Sequence, residues 1–114
     1  MTTTETASAR IARAVTAWPG VSAGDGSRGE RSFRVGGREI GHLHGDRVAH
    51  FAFPKAEWQR LFDDGRIGHH PVTPDRPGWA QRRIASDADV EDVIALMRSN
   101  YERAVARGLA DAEE

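Results

Sequence analysis

Five histidines stand in a chain that has no cysteine, and they are unevenly placed: His42-Leu43-His44, then His50, then the adjacent His69-His70. Imidazole changes protonation near neutrality and is the commonest metal-binding side chain, so this spacing bears first on chemistry. Residues two apart on a strand project to one face, which gives His42 and His44 a shared direction. As a base, His42 would draw a proton from a bound hydroxyl group. As a ligand pair, His42 and His44 would need a third donor about 2.0–2.2 Å from an ion. Asp46, His50 and the His69-His70 pair are the candidates; His50 is expected on the opposite face, which favours His70 or Asp46. A third reading makes the pair hydrogen-bonded histidines at a sheet rim beside Arg31 and Arg47. Proton transfer by His42 and His44, helped by His70, is the reading taken forward, with no metal and no cofactor expected. Arg31, Phe51, Phe53 and Trp79 are the candidate substrate contacts. Thiol catalysis is excluded, and without a GxSxG elbow acyl-enzyme chemistry is not expected.

The elements that must position these residues are legible as patterns. Ile11, Val15 and Trp18 at i, i+4 and i+7 predict a helix over about Thr4 to Trp18, closed by Pro19-Gly20. Ser22 to Gly29, with Gly24-Asp25-Gly26 and Gly29, reads as a loop; it lacks the lysine and the spacing of a phosphate-binding loop. Three strands follow, joined by two-residue turns at Gly36-Gly37 and Gly45-Asp46. With those turns, Phe33 faces Ile40, Arg31 faces His42, His42 faces Ala49 and Ile40 faces Phe51. One face then gathers Phe33, Val35, Ile40, Ala49, Phe51 and Phe53, with His42 and His44 turned toward it, while Glu39, Leu43, Val48 and His50 take the other. A helix over Lys55 to Asp64 follows Pro54, with Trp58, Leu61 and Phe62 packing. The stretch from His69 to Gly78 is too proline-rich for a central strand, and a fourth strand is expected at Trp79 to Ile84. The last helix starts at a capping-box-like Ser86-Asp87-Ala88-Asp89 and carries Val90, Val93, Ile94, Met97, Tyr101 and Val105 as a stripe up to Gly108. The order αβββαβα predicts an α+β fold, an antiparallel sheet with helices on one face.

The 114 residues fit one domain, 1–114, with an ordered core of about 5–107. The net charge of −1 hides a partition. From Arg10 to Arg83 there are 13 basic and 8 acidic residues, a balance of +5; from Asp87 to Glu114 there are 3 and 8, a balance of −5. The two segments attract. The near-neutral total lacks the basic signature of a nucleic-acid binder. No apolar run approaches the ~20 residues of a membrane span, and the first residues lack a signal-peptide pattern, so no membrane partner and a cytoplasmic location are expected.

The run Gly37-Arg38-Glu39-Ile40-Gly41-His42-Leu43-His44-Gly45-Asp46, followed by Gly65-Arg66, His69-His70 and Gly78-Trp79, resembles the luciferase-like domain of small bacterial proteins and of fungal luciferase. The resemblance spans about Gly20 to Ala106. It implies a small-molecule ligand and, from the fungal members, oxidation of a hydroxylated pyrone by dioxygen without a cofactor. A fainter, architectural likeness is to the small MmcQ/YjbR proteins, which implies the alternative of a non-catalytic module binding nucleic acid or protein. A small-molecule site acting on a phenolic or enolic substrate is therefore the leading expectation, and the binding module is its rival.

Overall fold

The computed structural model describes residues 5–70 and 78–108. Most of the proline-broken stretch and Thr4 lie outside the described residues. The element order is α1 (Ala7–Thr16), β1 (Val21–Asp25), β2 (Arg31–Val35), β3 (Arg38–His44), β4 (Val48–Ala52), α2 (Lys55–Asp63), β5 (Gly68–His69), β6 (Trp79–Arg83) and α3 (Asp87–Ala106). The strands form one sheet in the order β1-β2-β3-β4-β6-β5, antiparallel at every pairing. The α+β class holds, with six strands where four were expected.

Local chemistry explains most of the boundaries. Thr6 caps α1 by accepting the Ala9 N–H at 3.1 Å, and Ser86 caps α3 by accepting the Asp89 N–H at 3.2 Å. The first helix is shorter than its apolar stripe suggests: Trp18 lies beyond it, its ring 5.3 Å from Tyr101, with the Arg98 guanidinium 5.1 Å above. Tyr101 Oη donates to the Pro19 carbonyl at 2.7 Å, which ties the end of α1 to α3. Both glycines of the Gly36-Gly37 turn have positive φ, 59° and 78°, as a two-residue hairpin of this hand requires.

One helix-covered side of the sheet holds the core. Ile11 and Val15 of α1, Leu61 of α2 and Val90, Val93, Leu96, Met97, Tyr101 and Ala104 of α3 pack with Phe33, Val35, Ile40, Leu43, Ala49, Phe51 and Ala80. The charge partition closes the same side. Arg10 pairs with Asp87 at 2.8 Å, Arg82 with Asp89 at 2.6 Å and Arg66 with Asp92.

Three expectations need correction. Of the segment Ser22 to Gly29, read as a loop, Ser22 to Asp25 belong to the edge strand β1, which pairs with β2 from Val21↔Val35 to Asp25↔Arg31. Its side chains are mostly exposed, so it shows no apolar alternation. Next, the first hairpin starts in the expected register, Val35↔Arg38 and Arg34↔Glu39, but then shifts, so that Phe33 faces Gly41, Ser32 faces His42 and Arg31 faces Leu43. Ile40 is the extra residue of a β-bulge, two residues on β3 opposing one on β2. Last, the second turn has three residues, Gly45 to Arg47, because His44 pairs with Val48, Leu43 with Ala49 and His42 with His50. Arg47 is drawn out of the hairpin by the residue that follows β6: its carbonyl accepts the Ile84 N–H at 2.7 Å.

The bulge is anchored from the helix side. Asn100, 8% exposed, donates through Nδ2 to the carbonyls of Ile40 at 3.0 Å and Ala52 at 3.2 Å. A Cβ on Gly41 would meet Met97 Sδ at 2.8 Å and Phe51 Cδ1 at 3.0 Å, so the sheet can approach α3 only with glycine there. Asn100→Ala removes both bonds and should lower stability by about 2 kcal/mol. Gly41→Ala should lower it by a similar amount, about 2 kcal/mol, through overpacking. Urea unfolding of the two variants checks both values; a loss under about 0.5 kcal/mol for Asn100→Ala would remove its anchoring role.

Candidate functional site

The shifted register decides where the histidines go. Because strand side chains alternate, a slip of one residue moves a whole set to the other face. His42 and His44 therefore point away from the core, where the unshifted register put them toward it. His50, expected opposite them, is the direct cross-strand partner of His42 and lies on their side. Gln81 faces His50 from β6, and His70 follows β5. The rings form a continuous group. Centroids of His42 and His44 are 5.0 Å apart, His42 and His50 5.2 Å, His44 and His50 4.7 Å, and His50 and His70 4.2 Å. Trp79 borders the group, 5.8 Å from His70.

The bulge also recruits a carboxylate. Glu39 and His42 are three apart, which in a regular strand would send them to opposite faces. With Ile40 and Gly41 both turned to the core, they share a face, and Glu39 Oε2 lies 2.8 Å from His42 Nδ1. Burial pushes the Glu39 carboxyl up, but the His42 bond and charge, the Arg34 charge and a Ser32 hydrogen bond together hold it below its ordinary value. An ionised carboxylate only accepts, so His42 Nδ1 carries the proton and its Nε2 lone pair is left for other work.

His50 is 6% exposed, and its Nε2 lies 3.2 Å from Gln81 Oε1. With that carbonyl oxygen as acceptor, the proton is on Nε2. Nδ1 is buried and has no hydrogen-bond partner among the described residues. Burial first, then the nearby His70, His42 and His44, lower the His50 pKa to about 4, against the raising effect of Gln81. Burial likewise lowers that of His70, with His42 and His44 adding to it. One ring nitrogen from each of His42, His44 and His50 lies within 4.8 Å of the others, close enough for the three to hold a metal ion.

A cleft of about 270 Å³ opens beside His42, lined by Ser32, Arg34, Glu39 and Trp79 with Gly24 and Glu30 of the β1–β2 region. The other expected contacts lie elsewhere. Phe51 and Phe53, 0% and 5% exposed, are in the helix-side core, and exposed Arg31 faces Leu43 and so shares that side. His69 also turns to the helix side, against Trp58 and Phe62. The sheet thus brings together His42, His44, His70 and Trp79 from the expected set and adds His50, Glu39, Arg34 and Gln81. Only the bulge could have revealed Glu39, and no local signal marks it.

Residues 37–100, more than half of the chain, match the family model described as Luciferase domain. No curated protein and no solved structure matches the chain. No helix among the described residues is long and apolar enough to cross a membrane.

The buried neutral imidazole of His50 sets an acid limit. Its folded pKa of about 4 lies below the ordinary 6.5, so the unfolded chain binds the extra proton between these values. Its contribution to stability is complete above pH 6.5 and is lost as pH falls toward 4. The groups facing it are His42, His44 and His70 with neutral Gln81, and protonating any of the histidines adds to the repulsion. Thermal midpoints of the ion-free protein should therefore fall across this window. The fall should be shallower in His50→Gln, and equal slopes would contradict the burial argument.

Proposed function

The chain belongs to the Luciferase domain family, and we propose that its histidine face binds a small phenolic or enolic molecule and takes the proton from its hydroxyl group. The observation that carries this reading is the Glu39–His42 pair at the edge of the cleft. A carboxylate on Nδ1 orients the ring and favours the imidazolium that forms when Nε2 accepts a proton, the arrangement of an oriented general base. The cleft supplies what such a substrate needs. Arg34 matches an anionic oxygen, and Trp79 offers an apolar wall. His44 and His70 complete the polar side, as ligand contacts or in moving the proton onward.

Once its proton rests on His42, the substrate anion is electron-rich. It can pass one electron to dioxygen, the resulting organic radical and superoxide can combine to a peroxide anion, and that anion can take the proton back from His42 to leave a hydroperoxide, so a cofactor-free oxygenase step balances. The rival reading, a nucleic-acid module, draws less support, because Arg10, Arg66 and Arg82 are engaged by carboxylates of α3.

A panel of hydroxypyrones and phenols tests the proposal by titration calorimetry and by oxygen uptake. The protein should bind ionisable members better than their methyl ethers, since only the former give up a proton. His42→Ala should weaken that preference at least tenfold, and Glu39→Gln should reduce turnover while leaving the protein folded. Unchanged binding and turnover in both His42→Ala and His44→Ala would sink the proposal.

A further inference from the structure

We infer that His42, His44 and His50 form a binding site for one divalent transition-metal ion. The ladder itself builds the donor set: two residues on alternate positions of β3 and the direct partner of one of them on β4. One ring nitrogen from each lies within 4.8 Å of the other two. A tetrahedral ion with nitrogens about 2.0–2.1 Å away holds them roughly 3.3 Å apart, so each ring need move less than about 1 Å, with the backbone fixed.

Two further features point to coordination. Metal-binding imidazoles usually donate their other N–H to a carboxylate or carbonyl, which fixes the tautomer and aims the lone pair. His42 does so through Nδ1 to Glu39 Oε2 at 2.8 Å, and His50 through Nε2 to Gln81 Oε1 at 3.2 Å. Both remaining lone pairs are thereby assigned to His42 Nε2 and His50 Nδ1. The second of these is buried and without a hydrogen-bond partner among the described residues, in a residue only 6% exposed. Folded chains rarely leave such an atom unmatched, and an ion shared with two neighbouring imidazoles gives it a partner.

The chemistry of the donors narrows the ion. Three neutral imidazoles suit zinc, iron, nickel or copper, whereas magnesium and calcium prefer oxygen. Three protein ligands also leave a fourth position for water or a bound oxygen, as in catalytic zinc sites. Glu39 supplies negative charge to the shell around the ion. The inference concerns the face on which the proposed function lies but rests on coordination geometry; the His42 Nε2 lone pair serves one role at a time, as base in the ion-free protein and as ligand in the loaded one.

The test uses untagged full-length chain, purified without added metal and then stripped with a chelator. Zn²⁺ titration should show one ion per chain and raise the thermal midpoint. Co²⁺ should give the intense visible absorption of a four-coordinate site. His44→Gln and His50→Gln should each weaken Zn²⁺ binding at least a hundredfold, and Glu39→Gln by about 10–100-fold. His69→Gln, on the other side of the sheet, should bind as the parent does. Circular dichroism establishes that each variant is folded, and if one is not, the Co²⁺ spectrum and stoichiometry of the parent still decide. No stoichiometric ion, a six-coordinate Co²⁺ spectrum, or undiminished affinity in folded His44→Gln and His50→Gln would overturn the site. Hydroxypyrone binding by the stripped protein is read separately. Ion binding without ligand binding removes the proposed function alone, and ligand binding without ion binding removes the metal site alone.

Discussion

The candidate site depends on one extra residue in a strand. Opposite Phe33, β3 supplies Ile40 and Gly41 instead of one residue, and both turn toward the helices. Everything after them on β3 is rotated by half a period, so Leu43 enters the core and His42 and His44 leave it. A bulge interrupts the ladder and frees a carbonyl, which is unfavourable unless something satisfies it. Here Asn100 reaches from the buried face of α3 to the carbonyl of Ile40 and binds the end of β4 as well. Met97, one turn earlier, fills the space that a side chain at position 41 would occupy. The helix thus holds the distortion that places the chemistry on the far side of the sheet.

The same helix organises the charge. Asp87, Asp89 and Asp92, in the first turns of α3, pair with Arg10, Arg82 and Arg66 on the helix-covered side. Asp89 also accepts the Ala85 N–H at 2.8 Å, so it closes the helix start and binds the sheet at once. These partly exposed pairs add little individually, but they use up fixed charge that would otherwise be distributed over the molecule. On the other side the field is set by the imidazoles, with Glu39 and Arg34 beside them.

Much of this was legible in the residues, and the exceptions have physical causes. The capping of α3, the Gly36-Gly37 turn, the helix of Lys55 and the core positions Phe33, Ile40, Ala49 and Phe51 follow from local rules. The strand β1 does not, because an edge strand with most of its side chains exposed and a glycine in it lacks alternation. The second turn misleads because Gly45-Asp46 satisfies a two-residue hairpin by itself. The third residue, Arg47, is held from a distance by the N–H of Ile84, and Asp46 by the N–H of Ser8. The grouping of His42 with His44 needs only alternation, whereas joining Glu39 to them needs the bulge, and joining His50 needs the bulge and the longer turn together.

Four imidazoles in contact are not a neutral choice for a core-forming sheet. Each protonated ring would repel the others, and His50 has too little water around it to carry charge easily. An apolar residue at position 50 would pack beside Gln81 without leaving a ring nitrogen unmatched. The fold retains histidine there and holds His42 and His50 by specific acceptors, Glu39 and Gln81. That combination limits where positive charge can be received: at the lone pairs left on His42 Nε2 and His50 Nδ1, with the Glu39 carboxylate bound to the other nitrogen of the first. Whether the charge arrives as a proton from a substrate hydroxyl or as an ion, the same geometry receives it, because the bulge has already placed donor atoms and counter-charge on one surface.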